Sequence, residues 1–147
     1  MVSNTPKWIA YCSLAIIVAL QVVGVVSHTS VRHVVQTLPL WFPIVLGFRQ
    51  RELAKWAALP SLIFWVVIMV LIWLFLLGWA RVVSGHFTPV EIAMTLVIGV
   101  ACVLGIGKSL QWRTAVRPLT ALGVVVLFGA FQLLAFRLSL LPYLARR

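Results

Sequence analysis

The sequence predicts an all-α integral membrane protein, a bundle of four transmembrane helices plus a Pro-containing segment at residues 34–48 that is embedded or a short fifth span. Residues 61–80 contain no charge, and twenty such residues can cross about 30 Å of hydrocarbon as a helix. The chain is 63% hydrophobic and 10% charged, with a mean hydropathy of +1.13. A helix that is apolar on every side needs lipid or a very large core. A chain of 147 residues offers no such core.

Three further runs are long or nearly long enough to span, and they complete a single membrane domain over residues 1–147. The first carries Trp8 and Tyr11 at its start, where aromatic side chains anchor helices at the interface. The four predicted spans cover residues 8–27, 61–80, 91–107 and 119–141.

Residues 34–48 are the ambiguous segment. They are apolar apart from Gln36 and Thr37, but about fifteen residues is short for a span. Pro39 could open a helix, whereas Pro43 would then weaken its hydrogen-bond ladder. The pattern is typical of an embedded, non-spanning piece, and a short tilted fifth span is the alternative.

Two local patterns flank the central span. Residues 49–59 predict an interfacial helix in which Glu52 pairs with Lys55, and Pro60 breaks this helix before the span. Thr88, followed by Pro89 and by Glu91 three residues after it, predicts a helix cap of the capping-box type.

The charge is lopsided, with twelve Lys and Arg against two acidic residues. The basic residues lie at the ends of apolar runs, where the positive-inside rule and lipid headgroups account for them, so we expect no nucleic-acid binding. The loops at 49–55 and 108–117 hold three Lys or Arg each and the 81–91 loop holds one, so the first two should be cytoplasmic. Arg146 and Arg147 would then lie outside.

The span count decides where the N-terminus and two of the histidines lie. Four spans place His28 and His33 inside with an outside N-terminus, whereas five place them outside, beside His86. Only the second arrangement gathers the three histidines near Glu91, as weak candidates for a cofactor-binding site with a haem, a metal or a quinone headgroup. The simpler interpretation is that interfacial His side chains meet headgroups and loop carbonyls, so no cofactor and no metal site is predicted.

No catalytic residue is predicted either. The only acids are Glu52 and Glu91, each with a local structural role, and no intramembrane acid suggests proton coupling. Cys12 and Cys102 lie in separate apolar runs without a CxxC pattern. The sequence contains no HExxH, GxSxG, P-loop or GxGxxG motif.

Polar and small residues inside the spans predict helix packing. Gln21 and Gln132 are amides inside the spans, and they could hydrogen-bond to one another and hold two helices together, or they could line a pore. Arg137 lies near the end of its helix, so its side chain can reach the interface. Small residues permit close approach of helices within the chain or with a partner. The candidates are Gly99, Ala101, Gly105, Gly123 and Gly129.

Together these patterns favour a non-catalytic small subunit or accessory protein of a larger membrane complex, in a bacterial inner membrane. Its expected partners are the lipid bilayer and other membrane subunits. One alternative is a small homo-oligomeric transporter or channel with Gln36, Gln132 or Arg137 along its path. Another is a redox or quinone-interacting protein that uses the outer histidines with Trp41 and Trp79.

Overall fold

The computed structural model describes residues 4–79 and 86–141, and these form five α-helices without a strand. All five are long and apolar enough to cross a membrane, at 19 to 24 residues or about 28 to 36 Å. By these criteria the chain is a helical multi-pass membrane protein. Arg81, Arg146, Arg147 and the predicted end of the central span at residue 80 lie outside the described residues. The helices are α1 (Thr5–Val26), α2 (Ser30–Phe48), α3 (Leu53–Leu76), α4 (Pro89–Gln111) and α5 (Pro118–Ser139).

The ambiguous segment is a continuous helix. It begins at Ser30, one turn before the predicted start, and so reaches 19 residues, as the fifth-span alternative requires. Pro39 and Pro43 lie inside it and are fully buried. They are four residues apart and therefore share one face. Their rings fill the interior of the bundle instead of ending the helix.

The predicted interfacial helix at residues 49–59 is not a separate element. α3 continues from Leu53 through Pro60 to Leu76, so the interfacial turns and the central span are one helix of 24 residues. Proline is tolerated in membrane helices where neighbouring helices support the freed backbone. Here the Pro60 ring lies against α5, with its Cβ 3.8 Å from the position that a Cβ on Gly129 would take.

α3 is the central helix, because it packs against all four others. α1 lies between α2 and α4, and α5 packs against α2 and α3 only. α4 and α5 follow one another in the chain, yet α3 separates them. The core between the helices is apolar, and its largest fully buried residues include Ile9, Ile16, Leu40, Leu62, Ile98 and Cys102.

α1 and α2 approach closely at two glycines that the sequence analysis did not single out. A Cβ on Gly47 would lie 2.5 Å from the Pro6 carbonyl oxygen and 2.9 Å from the Ala10 Cβ. A Cβ on Gly24 would lie 3.0 Å from the Ser30 Cα. Both ends of this helix pair therefore require a residue without a side chain.

The five helices alternate in direction, so the charged residues and histidines between them lie at two opposite ends of the bundle. The histidine end holds His28, His33 and His86 with the cations Arg32 and Arg137. The basic end holds seven cations of the described chain and the carboxylate of Glu52. These cations are Lys7, Arg49, Arg51, Lys55, Lys108, Arg113 and Arg117.

Candidate functional site

The interior of the bundle contains a polar cluster formed by α2 and α5. Gln36 Nε2 donates to Ser139 Oγ at 3.0 Å, and Ser139 Oγ donates to the Phe136 carbonyl at 2.6 Å. Gln132 Nε2 donates to the Gln36 carbonyl oxygen at 3.3 Å. All three side chains are buried, at 0–4% exposure. Hydrogen bonds between membrane helices stabilise packing by about 0.6–2 kcal/mol each, so this cluster fastens α5 to α2.

The predicted contact between Gln21 and Gln132 is wrong. Gln21 lies half-buried on α1, and α1 does not pack against α5. Gln132 instead reaches Gln36 on α2, while its Oε1 is buried without a hydrogen-bond partner. Arg137 is exposed in the last turn of α5, where a snorkelling cation is expected.

The histidines have different environments. His33 Nδ1 lies 3.2 Å from Thr29 Oγ1 and 3.1 Å from the Thr29 carbonyl oxygen, so its ring is engaged within its own helix turn. His28 is exposed in the α1–α2 turn with a positive φ of 56°, and His86 is exposed before α4. Within residues 4–79 and 86–141, no group of three His, Cys, Asp or Glu residues could hold a metal ion.

Both carboxylates accept hydrogen bonds from backbone N–H groups. Glu91 Oε2 accepts from Thr88 N at 2.7 Å and Thr88 Oγ1 accepts from Glu91 N at 3.3 Å, which forms a capping box at the start of α4. Glu52 Oε2 accepts from Ala115 N at 2.8 Å. Each carboxylate thus orders a helix start or a loop.

Lys55 does not pair with Glu52, in contrast to the sequence prediction. Its Nζ donates to the Trp112 carbonyl oxygen at 2.7 Å and lies 4.7 Å from the centre of the Trp56 ring. Trp56 Nε1 donates to Thr114 Oγ1 at 3.2 Å. The first turns of α3 therefore hold the α4–α5 loop through a cation, an indole and the Glu52 carboxylate.

The predicted packing residues divide into two groups. Ala101 and Gly105 face inward, and a Cβ on Gly105 would lie 3.0 Å from Leu62 Cδ1 and 3.3 Å from the Cys12 Cβ. A Cβ on Gly99 or Gly123 would meet no atom of the residues that the structure describes within 4 Å. Gly129 is intermediate, beside Pro60. The inward residues let α1, α3 and α4 pack, while the outward ones lie on the surface of the bundle.

An apolar groove of about 510 Å³ runs between α3 and α4 on this surface. We call it the α3–α4 groove. Its lining is formed by five residues of α3 from Val66 onward, by Leu77 directly after α3, and by six residues of α4 between Thr95 and Leu104, including Gly99. Thr95 Oγ1 donates to the Ile92 carbonyl at 2.7 Å, so the one hydroxyl in the lining is satisfied within its own helix.

Comparison with protein-family models, curated proteins and solved structures finds no match to this chain.

Proposed function

We propose that the protein is a small, non-catalytic subunit or accessory protein of a larger membrane complex. A transmembrane helix of a partner subunit would pack into the α3–α4 groove. The open space above Gly99 is the observation that carries this proposal, since no atom of residues 4–79 or 86–141 lies within 4 Å of the position that its Cβ would take.

The shape of the groove supports a helical partner. Its wall on the side of α3 extends over twelve residues from Val66 to Leu77, about 16 Å or three helical turns. Helices in membranes associate through van der Waals packing, and a glycine at the contact lets two backbones approach closely. α4 and α5 do not pack on one another, so no other helix of the described residues covers the α4 side of the groove.

The position of the polar side chains agrees with a packing role. Gln36 and Gln132 are buried between α2 and α5 and bond within the chain, and neither lines the α3–α4 groove. A shared pore would need these amides on the face where subunits meet. Since Glu52 and Glu91 both accept backbone hydrogen bonds, the proposal assigns no catalytic residue.

We further propose how the protein is oriented in the membrane and which membrane it occupies. The basic end would face the cytoplasm of a bacterial cell and the histidine end the opposite side of the inner membrane. The excess of cations at the basic end supports this orientation through the positive-inside rule.

The test is purification in mild detergent of the wild type and two glycine variants. Gly99→Leu fills the groove, and Gly123→Leu places the same side chain in open space on α5. We expect other polypeptides to co-purify in fixed stoichiometry with the wild type and Gly123→Leu, and at least tenfold less with Gly99→Leu.

Two outcomes would contradict the proposal. One is a homo-oligomer without partner chains, and the other is a partner retained equally by Gly99→Leu. The absorption spectrum of the same wild-type sample tests the haem alternative, because a Soret band would favour a redox function over a purely structural one.

A further inference from the structure

We infer that a slot at the basic end, beside the start of α5, binds one anionic phospholipid. The inference concerns a different surface from the α3–α4 groove and does not depend on the proposed subunit function. We call this surface the α5 slot. Its volume is about 320 Å³, and its lining residues are Trp56, Val116, Pro118, Ala121, Leu122 and Val125.

The walls of the α5 slot suit an acyl chain. The lining is formed by aliphatic and proline side chains together with the Trp56 indole. It follows α5 from Pro118 to Val125, about 10 Å along the helix axis. The slot therefore extends from the interface into the hydrocarbon of the leaflet at the basic end, the depth at which the upper part of a lipid tail lies.

The rim of the α5 slot is positively charged. Arg117 precedes Pro118 of the lining and Arg113 lies three residues before Val116, and both arginines are exposed. Arg51 precedes Glu52, which accepts a hydrogen bond from Ala115 N at 2.8 Å, so the segment that carries Arg51 lies beside the loop that carries both arginines. Guanidinium groups bind phosphate through two parallel hydrogen bonds, so this rim complements a phosphodiester headgroup.

The walls of the α5 slot are held by hydrogen bonds within the chain. Lys55 holds the Trp112 carbonyl and Trp56 holds the Thr114 hydroxyl, so the loop and the indole wall are fixed to α3. A preorganised site binds without the entropic cost of ordering its walls. α5 also begins without a side-chain cap, directly after Arg117, so the positive end of its helix dipole adds to the charge of the two arginines.

The charge distribution favours a lipid over a second copy of the chain. Seven cations and one carboxylate of the described residues lie at this end, so two such ends would repel one another. The slot also covers only two turns of α5, which is short for a transmembrane helix of a partner. An anionic phospholipid, with its headgroup at the rim and part of one acyl chain in the slot, matches both the charge of the rim and the length of the slot.

Native mass spectrometry of the full-length protein in detergent, with added lipid, tests the inference. Phosphatidylglycerol is the anionic probe and phosphatidylcholine, of the same chains, is the zwitterionic one. We expect one retained phosphatidylglycerol and at least tenfold weaker retention of phosphatidylcholine. Each neutralised arginine should weaken binding about fivefold, so Arg113→Gln with Arg117→Gln should lose about 25-fold.

A second variant, Ala121→Phe, fills the slot without changing the charge. It should abolish retention of phosphatidylglycerol, whereas the controls Arg137→Gln and Gly123→Leu should retain it. Arg137 is a cation of the histidine end, and Gly123 is on α5 with open space around it. Equal retention of the two lipids, or an equal loss from Arg137→Gln and the rim double variant, would overturn the inference. If Ala121→Phe does not fold, the rim double variant decides alone.

Discussion

Two helix ends place an ordinary residue in a left-handed backbone. His28 has φ 56° after α1 and Gln50 has φ 52° after α2, the same region that Gly78 occupies after α3 with φ 76°. At each of these three helix ends, two backbone hydrogen bonds terminate the helix. At His28 these run from His28 N to the Val25 carbonyl and from Thr29 N to the Gly24 carbonyl. This is the Schellman pattern, in which glycine is the usual left-handed residue.

His28→Gly should therefore stabilise the protein. The left-handed conformation costs an L-residue roughly 1–2 kcal/mol, and glycine avoids this strain at a smaller entropic cost. We expect the free energy of unfolding in detergent to rise by roughly 1 kcal/mol. His28→Ala keeps the strain and should stay close to the wild type. A loss of stability in His28→Gly would show that the imidazole makes a contribution larger than the strain.

The buried cluster predicts a measurable coupling between α2 and α5. In a double-mutant cycle of Gln36→Leu and Ser139→Ala, unfolding in detergent should give an interaction energy of about 0.6–2 kcal/mol, because the two side chains share a hydrogen bond. The control cycle pairs Gln21→Leu with Ser139→Ala. Its coupling should be close to zero, since α1 does not contact α5. Equal coupling in both cycles would refute the assigned contact.

At the scale of the helix, the glycines have different roles that their sequence context does not reveal. Gly24 and Gly47 allow α1 and α2 to approach, and Gly105 allows α4 to approach α3. By contrast, a Cβ added to Gly99, Gly107 or Gly123 would meet no atom of the described chain within 4 Å. All six lie in apolar helices, so the sequence indicates which residues are small and the packing determines which of them must be small.

Gly47→Ala should destabilise the bundle more than any of the outward substitutions. A methyl group there would meet the Pro6 carbonyl oxygen at 2.5 Å, and relief requires α1 and α2 to separate. Overpacking of this kind costs roughly 1–3 kcal/mol. Gly107→Ala is the matched control in open space, and it should be neutral or slightly stabilising because alanine favours helix. Unfolding in a denaturing detergent measures both, and equal effects would contradict the close contact.

The sequence predicts α2 and α3 poorly, because each contains proline inside the helix and the helices packed beside it stabilise the interrupted backbone. α2 has a mean hydropathy of 1.2, against 2.2 to 2.7 for the other four helices, and contains Pro39 and Pro43. Both features argue against a span when the segment is considered alone. Burial of the two rings against other helices is a tertiary effect. Pro60 in α3 is a similar case, because α5 packs beside it.

At the candidate site, the sequence predicts contacts within one helix turn better than contacts between residues that are far apart in the chain. The pattern at Thr88 and Glu91 lies within one turn, and the capping hydrogen bonds there follow from that turn alone. The partner of Gln132 is 96 residues away on α2, and hydropathy carries no information about which polar residue an amide meets. The outward position of Gly99 depends likewise on α3 standing between α4 and α5.

At the scale of the whole molecule, an odd number of spans would place Asn4 and Leu141 on opposite sides of the membrane. Five crossings place Asn4 at the basic end and Leu141 at the histidine end. Four crossings would place both on the same side. In the proposed orientation Asn4 would face the cytoplasm, because the basic end has seven described cations and the histidine end has two.

This arrangement predicts the labelling of single cysteines introduced at the two ends. Cys12 and Cys102 are free and buried, so Cys12→Ala with Cys102→Ala provides a background without thiols. In intact cells an impermeant maleimide should label Leu141→Cys, and it should label Asn4→Cys only after the membrane is opened.

Labelling of both cysteines in intact cells would mean that residues 34–48 do not cross, and the histidines at 28 and 33 would then lie on the opposite side from His86. Labelling of Asn4→Cys alone would keep five crossings and reverse the orientation, so the seven cations of the basic end would face outward.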